Sequence, residues 1–208
     1  MSRRVVRVND GNDSNVEPNL VMATAAAFPM KFYNTAINKD LGGFDAPVVL
    51  TVNPGGYTNT GWHRVDPIPK NLMFVRVRTN VWNIESVVDT VVKYYSEREV
   101  PVVLTFMAYY GENSIPNGQA PGYMHFTRHE NGHAIIRDFK DMYMWRKRTL
   151  NSYWAIRTDT WRQIMKRYRD NRWVYSCGKT EGELGTTACR HCGNCLREYF
   201  ATMERLRS

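Results

Sequence analysis

The sequence predicts an α/β fold with a mainly parallel sheet, and four neighbouring segments carry that prediction. Residues 47–53 and 72–79 are apolar runs rich in β-branched residues, as expected of buried strands. Between 84 and 95 apolar residues recur every third or fourth position, which predicts a helix with Asn83 as its N-cap. Another apolar run follows at 102–107. Strand, helix and strand joined by short connections form a βαβ unit, whose strands run parallel.

The second half of the chain continues this alternation. We expect a helix at 135–148, a strand at 152–156, a helix from about Asp159 and a strand at 172–176. A last amphipathic helix follows Cys195.

Length and composition indicate a globular protein. The chain has 208 residues, 43% of them hydrophobic and 23% charged, enough for one sizeable domain. Residues 1–30 show no clear period, so we expect an N-terminal arm followed by a single α/β domain at 31–208. No apolar run is long enough to cross a bilayer, and the start lacks the pattern of a secretory signal. We therefore expect no membrane partner and a cytoplasmic location.

The basic residues are concentrated in one segment. The net charge is +8, and residues 137–172 contain eleven Lys/Arg against four Asp/Glu. Such a segment is typical of a surface that binds nucleic acid, a nucleotide or another phosphate ligand. The alternative is a solvated basic helix face.

All four cysteines lie near the C-terminus, at Cys177, Cys189, Cys192 and Cys195. This clustering predicts a metal knuckle at 177–195 and not a disulfide scaffold. Four thiolates suit one zinc ion or one iron–sulfur cluster. The compact C-x-x-C-x-x-C run favours iron–sulfur, whereas the glycines that follow Cys177 and Cys192 favour zinc. Four protein ligands close the coordination sphere, which favours a structural role.

Polar and aromatic residues follow the predicted strands. In parallel α/β folds ligands bind beyond the carboxyl ends of the strands. Amides, arginines and aromatic rings at that edge suit a phosphate-bearing or nucleoside-like ligand. Local roles as caps, turns or pocket walls are the alternative. The candidate residues are Asn53, Gly55, Gly56, Arg76, Arg78, Asn80, Tyr109 and Asp159.

Residues 129–133 match the motif H-E-x-x-H. On a helix this spacing places His129 and His133 on one face to bind zinc, with Glu130 as general base. Asn and Gly at the two central positions disfavour a helix, and no third ligand lies nearby in the sequence. The alternative is a polar loop before the helix predicted at 135.

Several of these segments together resemble a known group. The resemblance covers roughly residues 47–200 and is carried by segments 75–80, 101–107, 151–154, 174–178 and 189–195. In the order of these segments and in their residues, the chain resembles a group of uncharacterised tailed-bacteriophage proteins. Those proteins are similar to the partial (β/α) barrels of radical S-adenosylmethionine enzymes.

The resemblance implies a partial barrel, S-adenosylmethionine as a cofactor and a nucleotide or nucleic-acid substrate. Residues 53–56 resemble the glycine pair near the cofactor's methionine end, and the C-terminal cysteines resemble auxiliary metal sites. The chain departs from these enzymes because it has no cysteine before Cys177, where they carry C-x-x-x-C-x-x-C. Two other hypotheses stand beside this one: a non-catalytic, zinc-stapled module that binds nucleic acid through 137–172, and a zinc hydrolase.

Overall fold

The main feature of the fold is a six-stranded sheet in which every pairing is parallel. The computed structural model describes residues 4–9, 12–53, 63–110, 125–130, 133–150, 152–177 and 192–208. In spatial order the strands are β1 (Val6–Val8), β2 (Lys31–Thr35), β3 (Val48–Val52), β4 (Leu72–Thr79), β5 (Val102–Phe106) and β11 (Val174–Ser176). The predicted α/β class with a mainly parallel sheet is confirmed. Spatial order follows chain order, as in (β/α) barrels, but within the described residues no closed barrel forms.

Helices connect and cover these strands. They are α1 (Pro18–Ala25), α2 (Asp89–Ser96), α3 (Phe139–Met142), α4 (Thr158–Arg167) and α5 (Asn194–Arg207). A π-helical turn, Ile84–Val88, leads directly into α2, and the predicted apolar stripe from Ile84 to Tyr95 faces the core. Asn83 precedes this helix as predicted, but its side chain does not cap it.

The two faces of the sheet are covered unequally. On one face Leu50, Val75 and Leu104 are buried in the main core, which also contains Val88 and Val91. On the other face Phe32, Val49, Phe74 and Val103 pack with Tyr199 of α5. Arg205, near the end of α5, donates to the carbonyl of Leu72 at 2.8 Å, so this helix ends where β4 begins. Along these strands the second face becomes polar toward the carboxyl ends.

Two further sheets lie in the long connection between β5 and β11. One is antiparallel with the order β6 (Tyr109–Tyr110), β10 (Tyr153–Ile156) and β9 (Tyr143–Arg146). The other pairs β7 (His125–Glu130) with β8 (His133–Asp138).

The structure corrects two predictions in this connection. The strand expected at 152–156 forms, but it belongs to the antiparallel sheet. The helix expected at 135–148 is wrong, because the chain forms β8, the single turn α3 and then β9. Isoleucine, tyrosine and tryptophan favour strands when partners are present, and here β7 and β10 provide them.

The expectation of an N-terminal arm also needs correction. Strand β1 pairs in parallel with β2, and the N–H of Val6 donates to the carbonyl of Met30 at 2.8 Å. Strand β2 is buried at all five positions although it contains Lys31 and Asn34. Asp45 accepts hydrogen bonds from Tyr33 at 2.7 Å and forms an ion pair with Lys31 at 3.0 Å, so the buried cation has its counterion. Because β2 contains the polar residues Lys31 and Asn34, the apolar pattern of the sequence did not reveal this strand.

Asp89 connects α2 to the end of α4, and its removal tests that connection. Its carboxylate accepts from Arg167 Nε at 3.0 Å, from Arg167 Nη2, and from the buried Tyr168 hydroxyl at 2.7 Å. We expect Asp89→Ala to lower the free energy of unfolding by about 1–2 kcal/mol, since it leaves a buried hydroxyl without its acceptor. Urea denaturation of both proteins measures this difference.

A matched control is Asp170→Ala. Asp170 pairs with Arg169 at 3.3 Å, and the two side chains are 89% and 67% exposed. We expect this change to alter stability by less than about 0.5 kcal/mol. Equal effects of the two substitutions would contradict the role given to Asp89.

Candidate ligand pocket and cysteine cluster

A pocket of about 360 Å³ lies at the carboxyl ends of the first five strands. Each of these strands contributes a side chain to its wall: Arg7, Asn34, Thr51, Arg76 and Thr105 in the order β1 to β5. The pocket therefore occupies the polar end of the sheet face whose apolar end is covered by α5. This is the edge at which parallel α/β folds bind ligands.

Three of the residues selected from the sequence meet in this pocket: Asn53, Arg76 and Arg78. Sequence reasoning missed Arg7 and Asn34 because the first strand was assigned to an arm and the second was not recognised. The alternation of apolar residues around Arg7 is the signal that could have identified its strand.

The described wall of the pocket is rich in arginine. It is lined by Arg7, Arg76 and Arg78, and the one carboxylate among the described lining residues is that of Asp13. The two oxygens of Asp13 accept hydrogen bonds at the end of β2, from the Thr35 hydroxyl and the Ala36 N–H, each at 2.6 Å. Within the described wall, three guanidinium groups therefore accompany a single carboxylate.

Unpartnered polar atoms stand at the same wall. Asn34 Nδ2 donates to the carbonyl of Val8 at 3.1 Å, so the second polar atom of this side-chain amide is the acceptor oxygen Oδ1. This Oδ1, the Oδ1 of Asn53 and the Oγ1 of Thr105 are buried without a hydrogen-bond partner in the described part of the chain. A buried polar atom left unpaired costs about 1–3 kcal/mol, so a ligand that supplied partners would gain affinity.

Asn80 has a structural role beside the pocket. Its Oδ1 accepts from the N–H groups of Trp82 and Asn83 at 2.8 and 2.9 Å, and Asn83 Oδ1 accepts from the Asn80 N–H at 2.9 Å. Asn83 Nδ2 also donates to the carbonyl of Arg78 at 2.9 Å. These bonds shape the turn that follows β4, and Asn80 is not among the residues that line the pocket.

Tyr109 and Asp159 also lie elsewhere. The ring of Tyr109 packs against those of Trp82 and Tyr143, and burial raises the pKa of its hydroxyl to about 12. Asp159 lies in the first turn of α4 and pairs with Arg137 at 3.0 Å. Partial burial acts to raise the pKa of Asp159, but the hydrogen bond and charge of Arg137, together with hydrogen bonds from backbone N–H groups, outweigh burial and lower the pKa. Gly55 and Gly56 lie outside the described residues.

The described residues of the H-E-x-x-H string lie in strands. His129 and Glu130 end β7 and His133 begins β8, with Glu130 opposite His133 in the antiparallel register. These three residues therefore do not have the one-turn helical spacing on which the zinc motif depends. The zinc-hydrolase hypothesis for them stays a prediction without support from the backbone.

Two of the described cysteines, Cys177 and Cys195, border the face that carries the pocket. The N–H of Cys177 donates to the carbonyl of Leu104 at 2.8 Å, and Asn194 Nδ2 donates to that of Ser176 at 2.9 Å. Cys177 and Cys195 both pack against the apolar cluster around Tyr199. Cys192 precedes Gly193, whose φ of 68° starts α5 in a left-handed conformation suited to glycine.

A complete metal centre is not seen within the described ranges. There, no three His, Cys, Asp or Glu side chains are grouped to hold an ion. Cys189, the fourth predicted ligand, lies outside those ranges. The metal site stays a prediction.

Comparison with known proteins adds no assignment: no family model, curated protein or solved structure matches the chain. The resemblance to phage proteins and radical enzymes therefore stays a prediction. Among the described helices, none combines the length and apolar character needed to cross a bilayer.

Asn80→Ala tests the structural role of this side chain. The substitution removes the acceptor of two backbone N–H groups at a position that is 3% exposed. We expect the free energy of unfolding to fall by about 1–3 kcal/mol, measured by urea denaturation. The control is Asn171→Ala, because Asn171 Oδ1 accepts a single bond, from the Trp173 N–H at 3.0 Å, at a half-buried position. An effect at Asn80 no larger than that at Asn171 would refute the assignment.

Proposed function

We propose that this protein binds a small phosphate-bearing ligand of the nucleotide class in the pocket at the strand ends. The observation that carries the proposal is the convergence of Arg7, Arg76 and Arg78 on one pocket, with Asp13 already engaged. Like charges held together favour an anion between them, and guanidinium forks match the oxygens of phosphate.

The acceptor atoms in the wall favour a nucleotide over inorganic phosphate. The Oδ1 atoms of Asn34 and Asn53 require hydrogen-bond donors, which a fully ionised phosphate lacks. Ribose hydroxyls and the amino groups of bases supply such donors. The volume of about 360 Å³ falls within the range of roughly 300–1,000 Å³ typical of small-ligand sites.

The proposal includes one metal centre held by the four cysteines. It is supported by the packing of Cys177 and Cys195 on the apolar part of the face that carries the pocket. A zinc ion there would fix α5 against the sheet, whereas an iron–sulfur cluster would supply one-electron chemistry. In the second case the resemblance implies S-adenosylmethionine, an adenosine derivative that carries a carboxylate and no phosphate, as the alternative occupant of the pocket.

Titration calorimetry with the four ribonucleoside monophosphates, their nucleosides, inorganic phosphate and S-adenosylmethionine tests the pocket. We expect at least one monophosphate to bind about tenfold or more tightly than its nucleoside or phosphate alone. Arg76→Ala should weaken that binding about tenfold, because it removes a charge-assisted hydrogen bond. Arg76→Lys keeps the charge and should recover part of the affinity.

The matched control is Arg169→Ala, which removes an exposed arginine paired with Asp170 outside the pocket. It should leave the affinity unchanged. The pocket is not the site if Arg76→Ala and Arg78→Ala, both folded by circular dichroism, bind the monophosphate as the unchanged protein does. Equal binding of nucleoside and monophosphate would exclude phosphate recognition.

Metal and sulfide analysis of protein purified without air tests the cysteine centre. We expect either about one zinc per chain or about four irons with matching sulfide, as for one cubane cluster. Cys177→Ala and Cys195→Ala should each lower the metal content, because each removes a thiolate ligand. His191 lies within the same 189–195 run but is not among the four proposed ligands, so His191→Ala should preserve the metal content. Metal-free protein, or full metal content in both cysteine variants, would overturn the proposed centre.

A further inference from the structure

Two tyrosines share one face of the antiparallel sheet, one exposed (Tyr110) and one half-buried (Tyr153). In its register Tyr153 stands opposite both Tyr110 and Arg146. Directly opposed residues project to the same side of a sheet, so these three side chains share a surface, which we call the tyrosine face. The two tyrosine ring centroids are 6.1 Å apart, and Tyr110 is 65% exposed.

The opposite face of the same sheet anchors it to the body of the protein. Trp154 stands opposite Tyr109 and Trp145. The ring of Trp154 packs against Phe139, a buried residue of the main core, at 5.1 Å. The packing of Trp154 on the core therefore fixes the backbone that carries the two tyrosines. The tyrosine rings themselves do not contribute to that core.

Basic residues lie beside the tyrosine face. Residues 142–158 contain four Lys/Arg and no Asp or Glu. The guanidinium of Arg148 lies over the ring of Tyr153, 5.1 Å from its centroid. Lys147 and Arg148 are exposed, and they directly follow Arg146 at the end of β9.

Other arginines of the basic segment hold the fold together. Arg137 pairs with Asp159, and Arg167 pairs with Asp89. Residues 142–158, which contain no Asp or Glu, differ from these arginines because their cations lie beside the aromatic rings of the tyrosine face. Its charge complements a polyanion, and its rings suit a partner with flat, exposed faces.

We infer that the tyrosine face binds single-stranded nucleic acid. Bases stack on Tyr110 and Tyr153, and the phosphate backbone runs along Arg146, Lys147 and Arg148. Proteins that bind single strands combine these two features, aromatic platforms and a basic track. A duplex matches the charge but keeps its bases stacked on one another, and an acidic peptide matches the charge without using the rings. The inference does not depend on occupancy of the strand-end pocket.

Fluorescence anisotropy of a labelled twelve-nucleotide oligothymidylate measures this binding on the full chain. We expect the single strand to bind about tenfold more tightly than a duplex of equal length. Tyr110→Ala and Tyr153→Ala should each weaken binding about tenfold, since each removes a stacking surface. Tyr153→Phe keeps the ring and should bind within about twofold of the unchanged protein.

Charge variants separate specific tracking from general attraction. Arg148→Ala should weaken binding. It should also reduce the slope of log affinity against log salt concentration by about one, as expected for the loss of one phosphate contact. Arg169→Ala removes the same charge on an exposed residue elsewhere and should have little effect.

Three outcomes would overturn the inference. The first is unchanged binding in both tyrosine-to-alanine variants with unaltered melting temperatures. The second is a loss in Tyr153→Phe as large as in Tyr153→Ala. The third is duplex binding as tight as that of the single strand, or displacement of the labelled oligonucleotide by polyglutamate as effective as by unlabelled single strand. Either result would show attraction by charge alone. The nucleotide titration of the Arg76 variant is scored separately, so failure at one site does not affect the other.

Discussion

The fold depends on the burial of the central strands β3, β4 and β5 between two unequal covers. Val49, Phe74 and Val75 are essentially inaccessible to solvent, and their side chains alternate between the two faces of the sheet. Apolar burial is the dominant favourable term in folding. On one face the core includes α2 and runs the length of the strands. On the other, the packing with α5 involves the early part of the strands, and the polar pocket begins beyond it.

This unequal covering explains why arginines occur in the sheet. Arg76 follows Phe74 on the same face of β4, and its guanidinium lies 5.8 Å from the Phe74 ring centroid. An arginine stem packs on apolar surface while its charged end reaches polar surroundings. The turn built by Asn80 and Asn83 ends the strand just beyond Arg78. The packing of Phe74 before these arginines and the turn that follows them thus position Arg76 and Arg78 in the pocket.

The connection between β5 and β11 uses aromatic residues in two ways. Rings that face the core, such as Tyr143 and Phe139, stack 4.8 Å apart and bury the inner side of the small sheet. Tyr110 and Tyr153 lie on the outer face beside basic residues, and Tyr110 is exposed while Tyr153 is half-buried. The same residue types therefore stabilise the core on one face and lie at the surface on the other.

The sequence alone determined the parallel βαβ core, the helix from Ile84, the strand that precedes Cys177, and the presence of Arg76 and Arg78 toward the carboxyl edge of the sheet. These features follow from local periodicity. Only the tertiary structure decided that β1 and β2 belong to the sheet and that His129, Glu130 and His133 lie in paired strands. It also decided that Asn80 and Asp159 serve the fold. The physical reason is that pairing and burial depend on partners distant in the chain, such as Asp45 for Lys31, which local patterns do not contain.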